Sequence, residues 1–310
     1  MAVQAKFPKM PRPSRNWLVL AAVVIMLAVI FANVPKSSQF LHVLHKTGHP
    51  VAFAVMAWIF LVLLENWRDA GPDAGRSRHA WAFAAALAAG IATEVAQVFV
   101  HRGASAFDVL RDALGAFAML TLLAGVSQKR AGTATTRVVI LITAGAMAAA
   151  AAVFPLLWCS AAYLNRDVRF PLIWQPSTPL DNYFAEIASN SVATATQGLI
   201  TDSLVINEPY PDWRHFSSLA FAVTNPNDQD LVLIIRVHDQ IHDWSNDDRF
   251  NRAVRVAAHS RATITNSLND IRDAPANRQL NLAQVAGVAI FTANESHGGF
   301  FQVNRIWLGR

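Results

Sequence analysis

The sequence predicts an α-helical membrane bundle of about five transmembrane helices followed by an all-β sandwich or jelly-roll domain. Three observations carry that expectation. Of the 310 residues, 53% are hydrophobic and only 15% charged, against roughly 25% charged in a soluble globular chain. Residues 1–162 hold 14 Lys/Arg and 6 Asp/Glu, whereas residues 163–310 hold 12 and 15, and every basic residue of that second part is Arg. The hydrophobic pattern also changes, from continuous apolar runs to a period of two. Together these exclude a disordered chain and a simple soluble enzyme. The pI near 9.8 is no argument for nucleic acid, because the positive excess sits between apolar segments, where it reads as topology.

A helix needs about 20 apolar residues to cross a bilayer. Residues 17–34 qualify, after a basic leader over 1–16 that carries Lys6, Lys9, Arg12 and Arg15. Further spans are expected at 50–66, 80–100, 109–127 and 138–162, the last with no charged residue. The first span has no Ala-x-Ala cleavage site behind it, so an uncleaved helix is expected rather than a signal peptide. Alternate short loops carry ten Lys/Arg on one side and three on the other. This puts the N-terminus in the cytoplasm and everything after about residue 162 outside, in the periplasm of a bacterium with two membranes.

Residues 165–204, rich in Ser, Thr, Asn and Pro, read as linker and a lead-in strand, and 205–310 as the extracytoplasmic sandwich. Leu231, Leu233, Ile235 and Val237 alternate with other residues as a half-buried strand requires. Short strands are also expected at 216–223, 253–256, 262–265, 285–291 and 300–308, with turn-rich segments between them.

Ionisable groups inside a span are costly and mark function by default. Glu94, Gln97 and His101 share one helical stripe, and Asp108, Asp112 and Gly115 another. His45 and His49 lie one turn apart if the second helix begins early. All fall at the outer helix ends. The expectation is one polar cluster of His45, Lys46, His49, Glu94, Gln97, Arg102, Asp108 and Asp112, open to the outside. Three readings stay open: a structural network in which Glu94 pairs with Lys46 or Arg102, a polar headgroup site, and a metal site of His45, His49 and Glu94. In a catalytic version Glu94 would be the general acid or base, with His49 and Asp108 beside it and Lys46, Gln97, Arg102, Asp112 and His45 binding. With Cys159 as the one cysteine, neither an intramolecular disulfide nor a Cys-based metal site is expected, and no cofactor is implied.

The order Lys46-x-x-His49 before Ala52-Phe53, Glu94-x-x-Gln97, Arg102, Ser105, Asp108, Asp112 and Gly115 resembles the VanZ-like membrane family over residues 17–127. Two positions depart from that pattern: His45 where Asp is frequent, and Asp112 where Asn is frequent. The resemblance implies a bacterial envelope membrane protein, with antibiotic resistance of the glycopeptide type as the family's namesake role. It implies a location and a polar site more than a reaction. In the tail, Asp248-Arg249-Phe250-Asn251, Leu268-x-x-Ile271, Arg278-x-Leu280-x-Leu282 and Val288-x-Ile290-Phe291 resemble galactose-binding-like, carbohydrate-binding β-sandwiches over residues 205–308.

Candidate glycan- or partner-binding residues in the tail are His238, Asp239, His242, Asp243, Trp244, Asn246, Asp247 and Asp248. An aromatic beside carboxylates and amides suits sugar hydroxyls and ring faces. A solvated acidic loop between strands accounts for the same residues. The expected partners are a membrane lipid or lipid-linked envelope component for the helices and a glycan or protein for the tail, with no nucleic acid. The functions carried forward are an envelope binding protein, a membrane-embedded enzyme acting on a lipid or glycolipid headgroup, and a membrane-tethered binding module.

Overall fold

A computed structural model describes residues 14–31, 38–67, 74–99, 103–188, 192–194, 198–293 and 299–310. Most of the basic leader and Arg102 lie outside the described residues. The chain divides into two compact units, Met1–Trp158 and Cys159–Arg310.

The first unit is helical. Its elements are α1 (Arg15–Phe31), α2 (Gln39–Trp67), α3 (Ala74–Phe99), α4 (Ala106–Arg130) and α5 (Thr135–Arg169), the last of which runs on into the second unit. By length and composition α2, α3, α4 and α5 can each cross a membrane, and α1 is a shorter apolar helix of 17 residues. The bundle therefore has the makings of a multi-pass membrane protein. Its surface agrees: Leu20, Val24, Ile140, Met147, Phe154 and Leu157 are large, apolar and exposed, an arrangement that lipid tolerates and water does not.

Inside the bundle, α2 packs on α3 and α4, and α1 on α2 and α3. Phe53, Met56 and Ile59 of α2 are buried in one apolar cluster, and Ala57, Ala82, Ala86, Ala116 and Leu120 in another. Small residues decide how close the helices come. A Cβ at Gly115 would lie 2.7 Å from Pro50 Cα, so the backbones of α2 and α4 touch there. Pro50 removes one helical donor, yet α2 continues through it and begins at Gln39, well ahead of the expected start at residue 50. That early start places His42, His45, Lys46 and His49 within the helix.

The second unit is a sandwich of two antiparallel sheets. Its strands are β1 (Leu172–Trp174), β2 (Ala185–Ile187), β3 (Val192–Thr194), β4 (Gly198–Thr201), β5 (Ser203–Asn207), β6 (Ser218–Thr224), β7 (Leu231–Asp239), β8 (Phe250–Val256), β9 (Arg261–Ser267), β10 (Val285–Thr292) and β11 (Phe301–Gly309). One sheet runs β3-β4-β11-β6-β9, with β1 also paired to β11, and the other runs β2-β5-β10-β7-β8. Between them lies a core that includes Leu204, Trp213, Phe221, Leu233, Ile235, Ile290, Phe301 and Ile306. A short helix, α6 (Leu268–Arg272), contributes Leu268 and Ile271, with Ser267 capping it by accepting from the Asn269 N–H. The segment 165–204 holds the end of α5 and β1 to β4, so several short strands stand where a linker with one strand was expected. Three-residue strands in polar sequence leave almost no periodic signal.

The end of α5 is stitched to the start of the sandwich. Asp181 accepts from Arg169, from Asn165 Nδ2 at 2.9 Å, and from the Ser177 and Thr178 hydroxyls. Burial alone would raise this carboxyl, but those hydrogen bonds bring it down to about 2. The crevice beside Asp181 and Trp174 measures about 20 Å³, room for little more than one water.

Candidate functional site

Two polar constellations stand out among the described residues, one in each unit.

In the helical unit, the predicted polar residues occupy neighbouring positions on α2, α3 and α4. His49 and Asp112 face each other across α2 and α4, with Nδ1 and Oδ1 3.5 Å apart and both side chains buried. His45 stands edge-on to His49, ring centroids 5.5 Å apart. Asp112 also lies against Gly90 of α3, where an added Cβ would come within 3.3 Å of Oδ2. Glu94 is 4% exposed and accepts from the Ser105 backbone N–H at 2.6 Å. It thereby closes the turn into α4 from outside, at the end where the helix presents free N–H groups. His49, Asp108 and Asp112 all lie within electrostatic reach of Glu94. Gln97 donates to the Val29 carbonyl of α1 at 3.2 Å, and Asp108 pairs with Arg111 of its own helix.

Some predicted contacts are not found. Lys46 is half-buried, and among the described residues no ion pair joins it to Glu94. Glu94 Oε1 and Asp112 Oδ2 are buried without a hydrogen-bond partner among the described residues, and Asp112 Oδ1 faces only His49. Buried carboxylate oxygens in that state are costly. They are also what a headgroup hydroxyl or ammonium would satisfy. Glu94 opens onto a recess of about 330 Å³ whose walls are otherwise mostly apolar, including Ile91, Val95, Phe99 and Val109.

In the sandwich, the turn-rich segment between β7 and β8 is held by Arg278. Its Nη1 and Nη2 donate to Asp239 at 2.6 and 2.9 Å, and its Nε donates to Asp248. Asp239 also accepts from the Asn281 N–H at 2.7 Å. Burial pushes Asp239 up, and the Arg278 and Asn281 bonds more than reverse it, so its carboxyl sits below the usual range. Asp239 therefore faces inward with its oxygens occupied. Asp243 accepts from the Ser245 N–H at 2.8 Å, and Asp247 sits in a single 3-10 turn, Asn246–Asp248.

Trp244 is different. It is 76% exposed and adopts φ 70°, a left-handed conformation that bulky residues avoid at a cost of order 1–3 kcal/mol. Its N–H donates to His242 Nδ1 at 3.0 Å. His242 lies 4.4 Å from both the Trp244 and the His238 ring. Beneath His238 a Cβ at Gly287 would overlap the ring at Nε2, so glycine gives the imidazole its seat on β10. Burial lowers both histidines, helped at His242 by Arg249, so both are neutral near pH 7.

The alternation of β7 sends Leu233, Ile235 and Val237 inward and Arg236 and His238 to the opposite face. There Arg236 Nε donates to Asn251 Oδ1 at 2.9 Å and its guanidinium lies 4.8 Å over the Phe291 ring. Arg249 donates to Asn246 and keeps a buried Nε without a partner among the described residues. Arg236, Arg249 and Arg278 were not among the predicted site residues. The period-two pattern of β7 was the signal that could have found Arg236; Arg249 and Arg278 stood within the quoted sandwich motifs but were not read as site residues.

No family model matches the chain, and no curated protein matches it. Among solved structures the C-terminal β part is similar to the family 11 carbohydrate-binding module from Clostridium thermocellum in complex with a β-1,3-1,4-mixed-linked tetrasaccharide. That match has 17% identity over 40% of this chain and 83% of the module, with TM-score 0.31. The chain is also similar to PfGH50B, at 17% identity over 40% of this chain with TM-score 0.31, and to an agarase, at 11% over 45% with TM-score 0.33. It spans only 22% and 24% of the lengths of those two proteins.

Proposed function

We propose that this chain is a multi-pass membrane protein of the bacterial cell envelope, VanZ-like over residues 17–127, whose C-terminal sandwich binds glycan outside the cytoplasmic membrane. The observation that supports it most is the exposed Trp244. It is backed by His242 and His238 and lies close in sequence to Arg249 and Asn251. A flat aromatic offers an apolar sugar face its partner, and fixed amides and guanidiniums offer the hydroxyls theirs. The positive-inside count supports the outside placement. A role in glycopeptide susceptibility rests on the VanZ-like motif alone.

The test uses the full chain in nanodiscs of zwitterionic lipid, passed over a panel of immobilised polysaccharides. At least one should retain it, and Trp244→Ala should weaken retention about tenfold or more, as loss of a buried aromatic anchor does. Retention on none of the panel would overturn the reading.

The buried Glu94 Oε1 and Asp112 Oδ2, without a hydrogen-bond partner among the described residues, support a second reading, a membrane site that holds or acts on an envelope-lipid headgroup, with Glu94 as general acid or base. Mass spectrometry of envelope lipids should then show a species that changes on deletion and returns with wild type but not with Glu94→Gln. Full restoration by Glu94→Gln would end it.

A further inference from the structure

We infer that the outer face of the β2-β5-β10-β7-β8 sheet reads a negative charge, so that the glycan taken by the sandwich is an acidic saccharide bearing a carboxylate or sulfate. This rests on the glycan-binding reading and narrows it to a ligand class.

Two cations on that face lack an anion. Arg236 and Arg249 sit within electrostatic reach of one another, and among the described residues neither forms an ion pair with a carboxylate. Their protein partners are neutral: Asn251 and the Phe291 ring for Arg236, Asn246 for Arg249. Of the unit's other arginines, Arg169, Arg214, Arg272 and Arg278 each hold an aspartate, whereas Arg252 rests on neutral acceptors and Arg305 and Arg310 lie over aromatic rings. Two neighbouring guanidiniums without a counter-charge repel each other, and burial adds to the cost at Arg236. A bound anion would relieve both terms.

Several nearby carboxylates are already committed: Asp239 and Asp248 belong to Arg278 and Asp243 caps its own turn, while Asp247 is exposed to solvent. The guanidinium fork matches a planar carboxylate or a sulfate with two parallel N–H bonds. Buried Arg249 Nε is a donor left open for such a bond. The neutral histidines and Trp244 at the end of β7 supply the stacking surface. A sugar ring with an acidic substituent combines the two needs.

The experiment is binding of the full chain, in zwitterionic nanodiscs, to three immobilised polymers: polygalacturonate, a sulfated galactan and an uncharged β-glucan. The expected result is at least about tenfold tighter binding to one or both acidic polymers than to the neutral one. The acidic arm that responds tells carboxylate from sulfate. Binding should weaken as sodium chloride rises from about 0.05 M to about 0.5 M. Arg236→Gln and Arg249→Gln should each cost roughly tenfold, with partial recovery in Arg236→Lys. Arg214→Gln, which removes the same charge from a residue paired with Asp212, should leave binding unchanged. Thermal melts of each variant separate lost contacts from lost folding. Equal or tighter binding to the neutral polymer, unaffected by either Gln variant, would overturn the acidic-ligand inference while leaving glycan binding in place. Failure of all three polymers and of the wider panel would remove both.

Discussion

Arg278→Met would cut the clamp that holds the β7–β8 segment. The wild-type guanidinium gives Asp239 two charged hydrogen bonds and Asp248 a third. The Asp239 side chain has 0% exposure and that of Arg278 has 22%. After the substitution Asp239 keeps only backbone donors, among them Asn281, and remains buried with its charge. Breaking one partner of a buried pair costs about 3–5 kcal/mol. Water reaches the Arg278 side, so we expect the lower end, about 3 kcal/mol. For a unit of this size that corresponds to a fall of roughly 6–12 °C in melting temperature. The assay is thermal unfolding of the full chain in detergent, followed by tryptophan fluorescence, with limited proteolysis reporting on the 240–249 segment. The double variant Arg278→Met/Asp239→Asn removes the buried charge stranded at Asp239, leaving only the more exposed Asp248 without its partner, and should recover a substantial part of the loss. A single variant that melts within about 2 °C of wild type, or a double variant no better than the single, would refute the argument.

Three further outcomes follow from the packing and the electrostatics. Gly115→Ala must push α2 from α4, because its Cβ would overlap the Pro50 backbone; we expect a loss of about 1–3 kcal/mol, read as a lower melting temperature in detergent. Gly48→Ala, on the same α2 with nothing within 4 Å of its Cβ, should be neutral or stabilising by up to about 1 kcal/mol. Asp181 is ionised in the fold down to about 2 against an ordinary 3.8. Its contribution is therefore fully present above about pH 4 and is lost as the pH falls toward 2. Melts of Asp181→Asn should lack that acid limb, and an unchanged limb would show that other groups set it.

The expected elements and the observed ones compare instructively. Long apolar runs such as 138–162 announce helices because a bilayer offers no other way to satisfy the backbone. The alternation of Leu231 to Val237 announces a strand because side-chain direction has period two. Residue types with awkward chemistry, Glu94, His49 and Asp112 among them, stand out in any apolar stretch. These signals are local, and a single chain displays them.

Pairings are not local. Glu94 bonds the Ser105 N–H, and among the described residues no ion pair joins it to Lys46, one of the expected partners. Asp239 and Trp244, grouped as ligand candidates by adjacency, separate because β7 turns Asp239 inward to an arginine 39 residues away and the following turn turns Trp244 out. Arg236 and Arg249 become a site only when β7 and β8 pair and bring both onto one face. Sequence alone determined the helical and β halves of this protein and the residues able to do chemistry. Tertiary structure decided which of them meet, because hydrogen bonds and charges act over a few ångströms and only folding sets those distances.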